Sequence, residues 1–280
     1  MRTYVCLIFV LQKMKFKSIN SFFITIVFLI LAIIKPKNQI LFNNNIYIDS
    51  SVLRIDTLTL MDSTRRRIIP IAIYNKYEQN DLKNSFHKNI RKKLVLLNPG
   101  YGGTNTDYSY IANKLVEYNY LVVTIQHDLS TDGSLPTSGD IYKARKVFWD
   151  TGVKSIFYVT DYLRKKYQNL DYKNIILIGH SNGGDISILI ANEYPNFAKT
   201  VITLDNRRVS FPRSDKPKIF SIRSSDQLAD PNVLPSIEEQ KKYRIKIVKV
   251  NTKHNDMGGM GTEAQKQEIN NYILDFLNSN

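Results

Sequence analysis

The segment Gly179-His180-Ser181-Asn182-Gly183, with Gly184 behind it, sets a serine between two glycines at G-x-S-x-G spacing. Flanking glycines let a chain turn sharply from a strand into a helix and leave the serine hydroxyl exposed at the bend. The context suits that turn, because the apolar run 175–178 precedes it and a helical pattern over 185–192 follows. A helix N-terminus beneath the serine also favours negative charge developing there. The chemistry this predicts is attack by the Ser181 oxygen on a carbonyl carbon, and such a hydroxyl needs a base to take its proton.

Four histidines are available as that base. His87 precedes the expected parallel sheet, and His127 ends the apolar run 121–125. His180 lies inside the bend, where its side chain should point away from the serine. His254 follows the last expected strand, in Thr252-Lys253-His254-Asn255-Asp256. Position, elimination and the chain order serine–acid–histidine select His254. The acid that would orient the imidazole and stabilise its cation is first Asp226, in Ser224-Ser225-Asp226-Gln227, with Asp205 as the alternative and Asp230 as a third choice. Carboxylates not so used are expected to pair with Arg207, Arg208 or Arg223. An oxyanion requires preorganised donors; the backbone N–H groups of Asn182 and Tyr101 are the candidates. Tyr101 belongs to Asn98-Pro99-Gly100-Tyr101-Gly102-Gly103, which matches neither glycine-rich phosphate-binding pattern. No metal or organic cofactor is implied.

Placing these residues requires alternating strands and helices. Runs 52–60 and 66–74 read as a hairpin about 61–64. Apolar runs at 94–97, 121–125 and 175–178 suit strands buried on both faces, and 200–204, 219–222 and 245–250 read as further strands. Helical spacing covers 111–118, 143–166, the stretch after the bend up to Pro195, 237–242 and 262–277, the last opening on a Thr262/Gln265 capping box. The pattern predicts an α/β fold: a mostly parallel sheet with helices on both faces and an N-terminal antiparallel hairpin.

The 280 residues are 43% hydrophobic and 23% charged, as in a chain with a real core. A net charge of +14 is scattered along the length without a nucleic-acid motif, so no nucleic-acid partner is expected. The lone Cys6 excludes an internal disulfide. Lys13, Lys15 and Lys17 precede an apolar stretch at 19–34, closed by Lys35-Pro36-Lys37. That is the layout of an export signal. Residues 1–37 are therefore expected to be a signal peptide or a membrane anchor, making the protein exported (periplasmic or secreted) or membrane-anchored, with Met14 an alternative start. Residues 38–50 read as a linker and 51–280 as the catalytic domain.

With these features in place, the chain from about Val52 onward resembles the α/β-hydrolase superfamily. Within it, the likeness is to the group of platelet-activating-factor acetylhydrolases, dienelactone hydrolases, chlorophyllases and polyester hydrolases. The likeness rests on the loop 99–103, the strand end Gln126-His127-Asp128, the bend 179–184, the strand end Leu204-Asp205 and the Lys253-His254 loop. The family usually has His-Gly where this chain has Pro99-Gly100. Acetylhydrolase- and chlorophyllase-like members suggest Asp205 as the acid; dienelactone- and polyester-hydrolase-like members suggest Asp226. The resemblance implies a serine esterase or lipase-like enzyme cleaving a small-molecule or lipid ester through an acyl-enzyme. A thioesterase or acyltransferase on the same site is one alternative, and a non-catalytic binding protein of this fold is another. The short stretch between Asp205 and the next strand leaves no space for an inserted lid domain.

Overall fold

The computed structural model describes residues 51–78 and 91–279. Cys6, the apolar stretch 19–34, the linker 38–50 and His87 lie outside the described residues. Among the described residues, no helix is long and apolar enough to cross a membrane.

Strands β1 (Ser51–Asp62) and β2 (Arg67–Glu78) form the expected hairpin, paired from Ser51 opposite Glu78 to Asp62 opposite Arg67. The Asp62 carboxylate closes the turn by accepting from the Thr64 and Arg65 amides. Then come β3 (Lys92–Asn98), α1 (Ser109–Glu117), β4 (Tyr120–Ile125), α2 (Ile141–Lys166) and β5 (Leu170–His180). The chain continues through α3 (Ser181–Glu193), β6 (Thr200–Leu204), β7 (Lys218–Arg223), α4 (Ile237–Tyr243) and β8 (Lys246–Lys249). A 3-10 turn at Asn255–Gly258 and α5 (Glu263–Asn278) complete it.

The strands lie in the order β1-β2-β4-β3-β5-β6-β7-β8. The hairpin joins antiparallel, through β2 against β4, and every later pairing is parallel. Alternation within the apolar runs explains why they are apolar throughout. In β3, Leu94 and Leu96 enter one core with Trp149 and Ile156 of α2 and Ile186 of α3. Val95 and Leu97 enter the opposite core with Ile111 and Leu115 of α1 and Ile269 and Ile273 of α5. Both faces are covered, so neither set of alternate side chains can be polar. Helix α5 starts as expected, with Thr262 and Gln265 exchanging side-chain and backbone hydrogen bonds.

Helix α3 begins at Ser181, not four residues later as its sequence pattern suggested. Glycines at 183 and 184 weaken a helix on propensity, yet here the first turn is pressed against the end of β3. A Cβ on Gly183 would lie 2.1 Å from the Asn98 carbonyl oxygen. Because β3–β8 are parallel, their C-terminal ends share one edge, where ligand sites of open α/β sheets form. The loops after β3, β4, β6, β7 and β8 meet there around Ser181.

Candidate active site

His180 is extended (φ −101°, ψ 139°), while Ser181 turns to φ 49°. A non-glycine residue in the left-handed region is uncommon and costs about 1–2 kcal/mol. Its surroundings impose it: a Cβ on Gly179 would meet the Gly183 carbonyl oxygen at 2.3 Å. Gly179 is thus required by backbone contact across the bend and Gly183 by contact with the end of β3, and the serine is left at the apex.

The Ser181 hydroxyl lies 2.9 Å from His254 Nε2, and His254 Nδ1 lies 2.6 Å from Asp205 Oδ2. The geometry brings together Ser181, His254 and the alternative acid. Asp226, the first choice for that position, is placed differently: it is exposed, and its Oδ1 accepts the backbone N–H of His254 at 2.7 Å. Strand order gives the reason. β6 lies between β5, which runs directly into Ser181, and β7, so its tip is the nearer one to the bend. Asp205 also turns left-handed there, at φ 55°. Asp230 is occupied by Arg208.

Asp205 is fully buried, and its four contacts use both oxygens. Oδ2 takes the imidazole and the Ser224 hydroxyl at 2.8 Å; Oδ1 takes the Ser224 amide at 3.1 Å and faces Arg223 Nη2 at 2.7 Å. Burial pushes this carboxyl upward, but the imidazole, the Arg223 charge and the Ser224 donors outweigh it and hold it below the ordinary range. The Arg223 guanidinium is itself buried and donates through Nη1 to the Asn206 carbonyl at 2.7 Å. The unused Asp230 pairs with Arg208 as expected, whereas Arg223 attends the carboxylate that meets the imidazole.

Asn182 follows Ser181 in the first turn of α3, where backbone N–H groups have no intrahelical acceptor. Its side chain is committed elsewhere, with Oδ1 accepting from Trp149 Nε1 at 2.8 Å. Gly100 packs on the bend, where a Cβ would come within 3.4 Å of Ser181 Cβ. Tyr101 follows it in the chain and is half-exposed. The loop is held by Gly102 N–H donating to Asp128 at 3.1 Å, and by Leu135 N–H donating to the Tyr101 hydroxyl at 3.2 Å.

Several residues support the site through contacts that the sequence did not specify. Asp185, one turn into α3, accepts three successive amides, Arg207, Arg208 and Val209, through Oδ1 at 3.2, 2.9 and 2.9 Å. It fixes the loop leaving Asp205, although burial pushes its carboxyl up to about 6. His127 Nε2 is 2.9 Å from Asn98 Oδ1, and Asn98 Nδ2 donates to Ser187 Oγ at 3.1 Å, tying β4, β3 and α3 together. His180 turns away from the serine hydroxyl, as expected, to the Tyr108 hydroxyl at 2.6 Å. Burial holds both His127 and His180 down at about 3, so both are neutral. A motif can reveal a serine or a histidine, but these partners are fixed only by long-range packing.

No protein-family model matches the chain, and no curated protein matches it. Solved structures do. An S-formylglutathione hydrolase, FrmB, from Staphylococcus aureus is similar at 15% identity and TM-score 0.58, over 79% of this chain and 96% of that one. An esterase of Rhizomucor miehei is similar at 13% identity and TM-score 0.56, over 81% and 83%. FphF, a fluorophosphonate-binding serine hydrolase of Staphylococcus aureus, is similar at 15% identity and TM-score 0.53, over 79% and 97%. At these identities the likeness concerns the fold, and with the sheet order above it is plain: the chain has the α/β-hydrolase fold.

Proposed function

We propose that the protein is a serine hydrolase that cleaves carboxylic esters. The observation that carries this is the continuous hydrogen-bonded chain from Asp205 through both nitrogens of His254 to the Ser181 hydroxyl. In the first step, His254 Nε2 takes the Ser181 proton as Oγ bonds to the ester carbonyl carbon. The oxyanion is received by the amides of Asn182 and Tyr101. Collapse of the intermediate breaks the carbon–oxygen bond to the alcohol, which leaves with the proton from His254. Water then repeats the sequence on the acyl-enzyme, giving its proton to His254 and releasing the acid and free Ser181. Asp205 holds Nδ1–H throughout and stabilises the imidazolium.

Placement of the acid after β6 agrees with the acetylhydrolase- and chlorophyllase-like pattern. The esterases among the similar structures support small-molecule ester substrates.

The test is a series of p-nitrophenyl esters of increasing acyl length, assayed with the wild type and Ser181→Ala. Turnover by the wild type, lost in the variant, is the expected result; it would also fix the preferred acyl length. A wild type that hydrolyses none of the esters contradicts the proposal and favours a binding protein of the same fold.

A further inference from the structure

Tyr108 and His180 lie outside the chain of bonds from Asp205 to Ser181, yet they adjoin both the Gly100 loop and the His254 ring. Tyr108, the residue before α1, is buried. Its hydroxyl lies 3.1 Å from the Gly100 amide nitrogen and 2.6 Å from His180 Nδ1. The His180 ring in turn packs against the His254 ring, with centroids 4.7 Å apart and planes inclined at 43°. Gly100 closes against the pair so tightly that a Cβ there would be 2.8 Å from His180 Nδ1. One hydroxyl therefore joins the loop before Tyr101, the bend at Ser181 and the ring behind the base.

Proton accounting fixes the direction of these bonds. The Gly100 N–H can only donate, so the Tyr108 oxygen accepts it. The Tyr108 hydrogen then goes to His180 Nδ1, and His180 carries its own proton on Nε2. That Nε2 is buried, with no hydrogen-bond partner among the described residues. The opposite tautomer would strand two groups, the Tyr108 hydrogen and a bare Nε2 lone pair, so it is the costlier arrangement. A neutral His180 is required for Nδ1 to accept, and burial keeps it neutral.

We propose that Tyr108 and His180 form a positioning pair that fixes the Gly100–Tyr101 amides relative to Ser181 and His254, so that the oxyanion meets donors already in place. The pair touches no reacting atom. Its role rests on the hydrolase reading above. A donor held in place before the reaction contributes through the tetrahedral state and little through substrate binding. Removing the hydroxyl should therefore lower kcat and leave KM nearly unchanged.

The experiment uses the full chain as wild type, Tyr108→Phe, His180→Asn and His180→Leu. Each is measured for kcat and KM on p-nitrophenyl butyrate, and for inhibition by phenylboronic acid, which becomes tetrahedral on the serine. Tyr108→Phe should lose roughly tenfold to a hundredfold in kcat, less than deletion of a direct oxyanion donor. KM should stay within about threefold and boronate affinity should fall in parallel with kcat. His180→Asn keeps an acceptor near the Nδ1 position and should retain most of the activity, whereas His180→Leu should fall with Tyr108→Phe. Activity and boronate affinity of Tyr108→Phe within about twofold of an active wild type overturn the pair. If Tyr108→Phe fails to fold, equal losses in the two His180 variants overturn it. A wild type that neither hydrolyses the ester nor binds the boronate overturns the hydrolase reading, and this role with it.

Discussion

Ser181 and Asp205 both hold a left-handed backbone, and both supply side chains to the hydrogen-bonded chain through His254. Strain of this kind persists only where the surroundings over-determine it. Here the close backbone contacts of Gly179 and Gly183 hold Ser181, and the Asp185 brace on residues 207–209 holds the loop behind Asp205. Ser181 and His254 were legible in the sequence because a local motif and a chain order reveal them. The choice between Asp205 and Asp226 was not, because both end or follow strands, and only the sheet order and the Ser224 and Arg223 contacts separate them. The distinction is measurable. Asp205→Asn should reduce kcat roughly 10³–10⁴-fold by losing the tautomer and the charge behind the imidazole. Asp226→Asn keeps an amide oxygen that can accept the His254 N–H, removes only the carboxylate charge, and should cost less than about tenfold. Equal losses in the two variants would contradict these placements.

At the scale of elements, the apolar runs announced the strands and the capping box announced α5. The start of α3 was hidden because its glycines read as a break. Those glycines are there for contact. A Cβ at Gly183 would press on the carbonyl oxygens of Asn98 and Pro99 at 2.1 and 2.3 Å, and backbone cannot swing aside as a side chain can. Gly183→Ala should therefore push α3 away from β3, destabilising the fold by about 1–3 kcal/mol and lowering Tm by roughly 5 °C, with activity lost alongside. Gly133, where an added Cβ meets nothing within 4 Å, is the control. Gly133→Ala should leave both Tm and activity unchanged, and an equal shift in both variants would remove the contact argument.

At the scale of the whole molecule, two buried neutral histidines make stability depend on pH. For His127 and His180 the folded value, about 3, lies below the ordinary 6.5, so between those limits the unfolded chain binds the extra protons. Their stability is fully present above about pH 6.5 and is lost as pH falls towards 3, about 2 kcal/mol for each at pH 5. Asp185 works the other way: its folded value of about 6 lies above the ordinary 3.8, so the folded state gains about 1 kcal/mol over the same descent. The net expectation is a loss of about 2–3 kcal/mol from pH 7 to pH 5 in urea unfolding. His127→Gln, which keeps the donor to Asn98, should remove most of that loss; an unchanged slope would contradict the assignment. The N-terminal stretch 19–34 supports a proposal of export or membrane anchoring, checked by fractionating cells that express the full chain. The claim on which the rest depends is that Asp205 and His254 make Ser181 nucleophilic. Intact-mass analysis after treatment with a fluorophosphonate tests it directly. One covalent adduct should form on the wild type at Ser181, and none on Ser181→Ala or His254→Ala. An unmodified wild type, or an adduct that survives Ser181→Ala, would contradict the account.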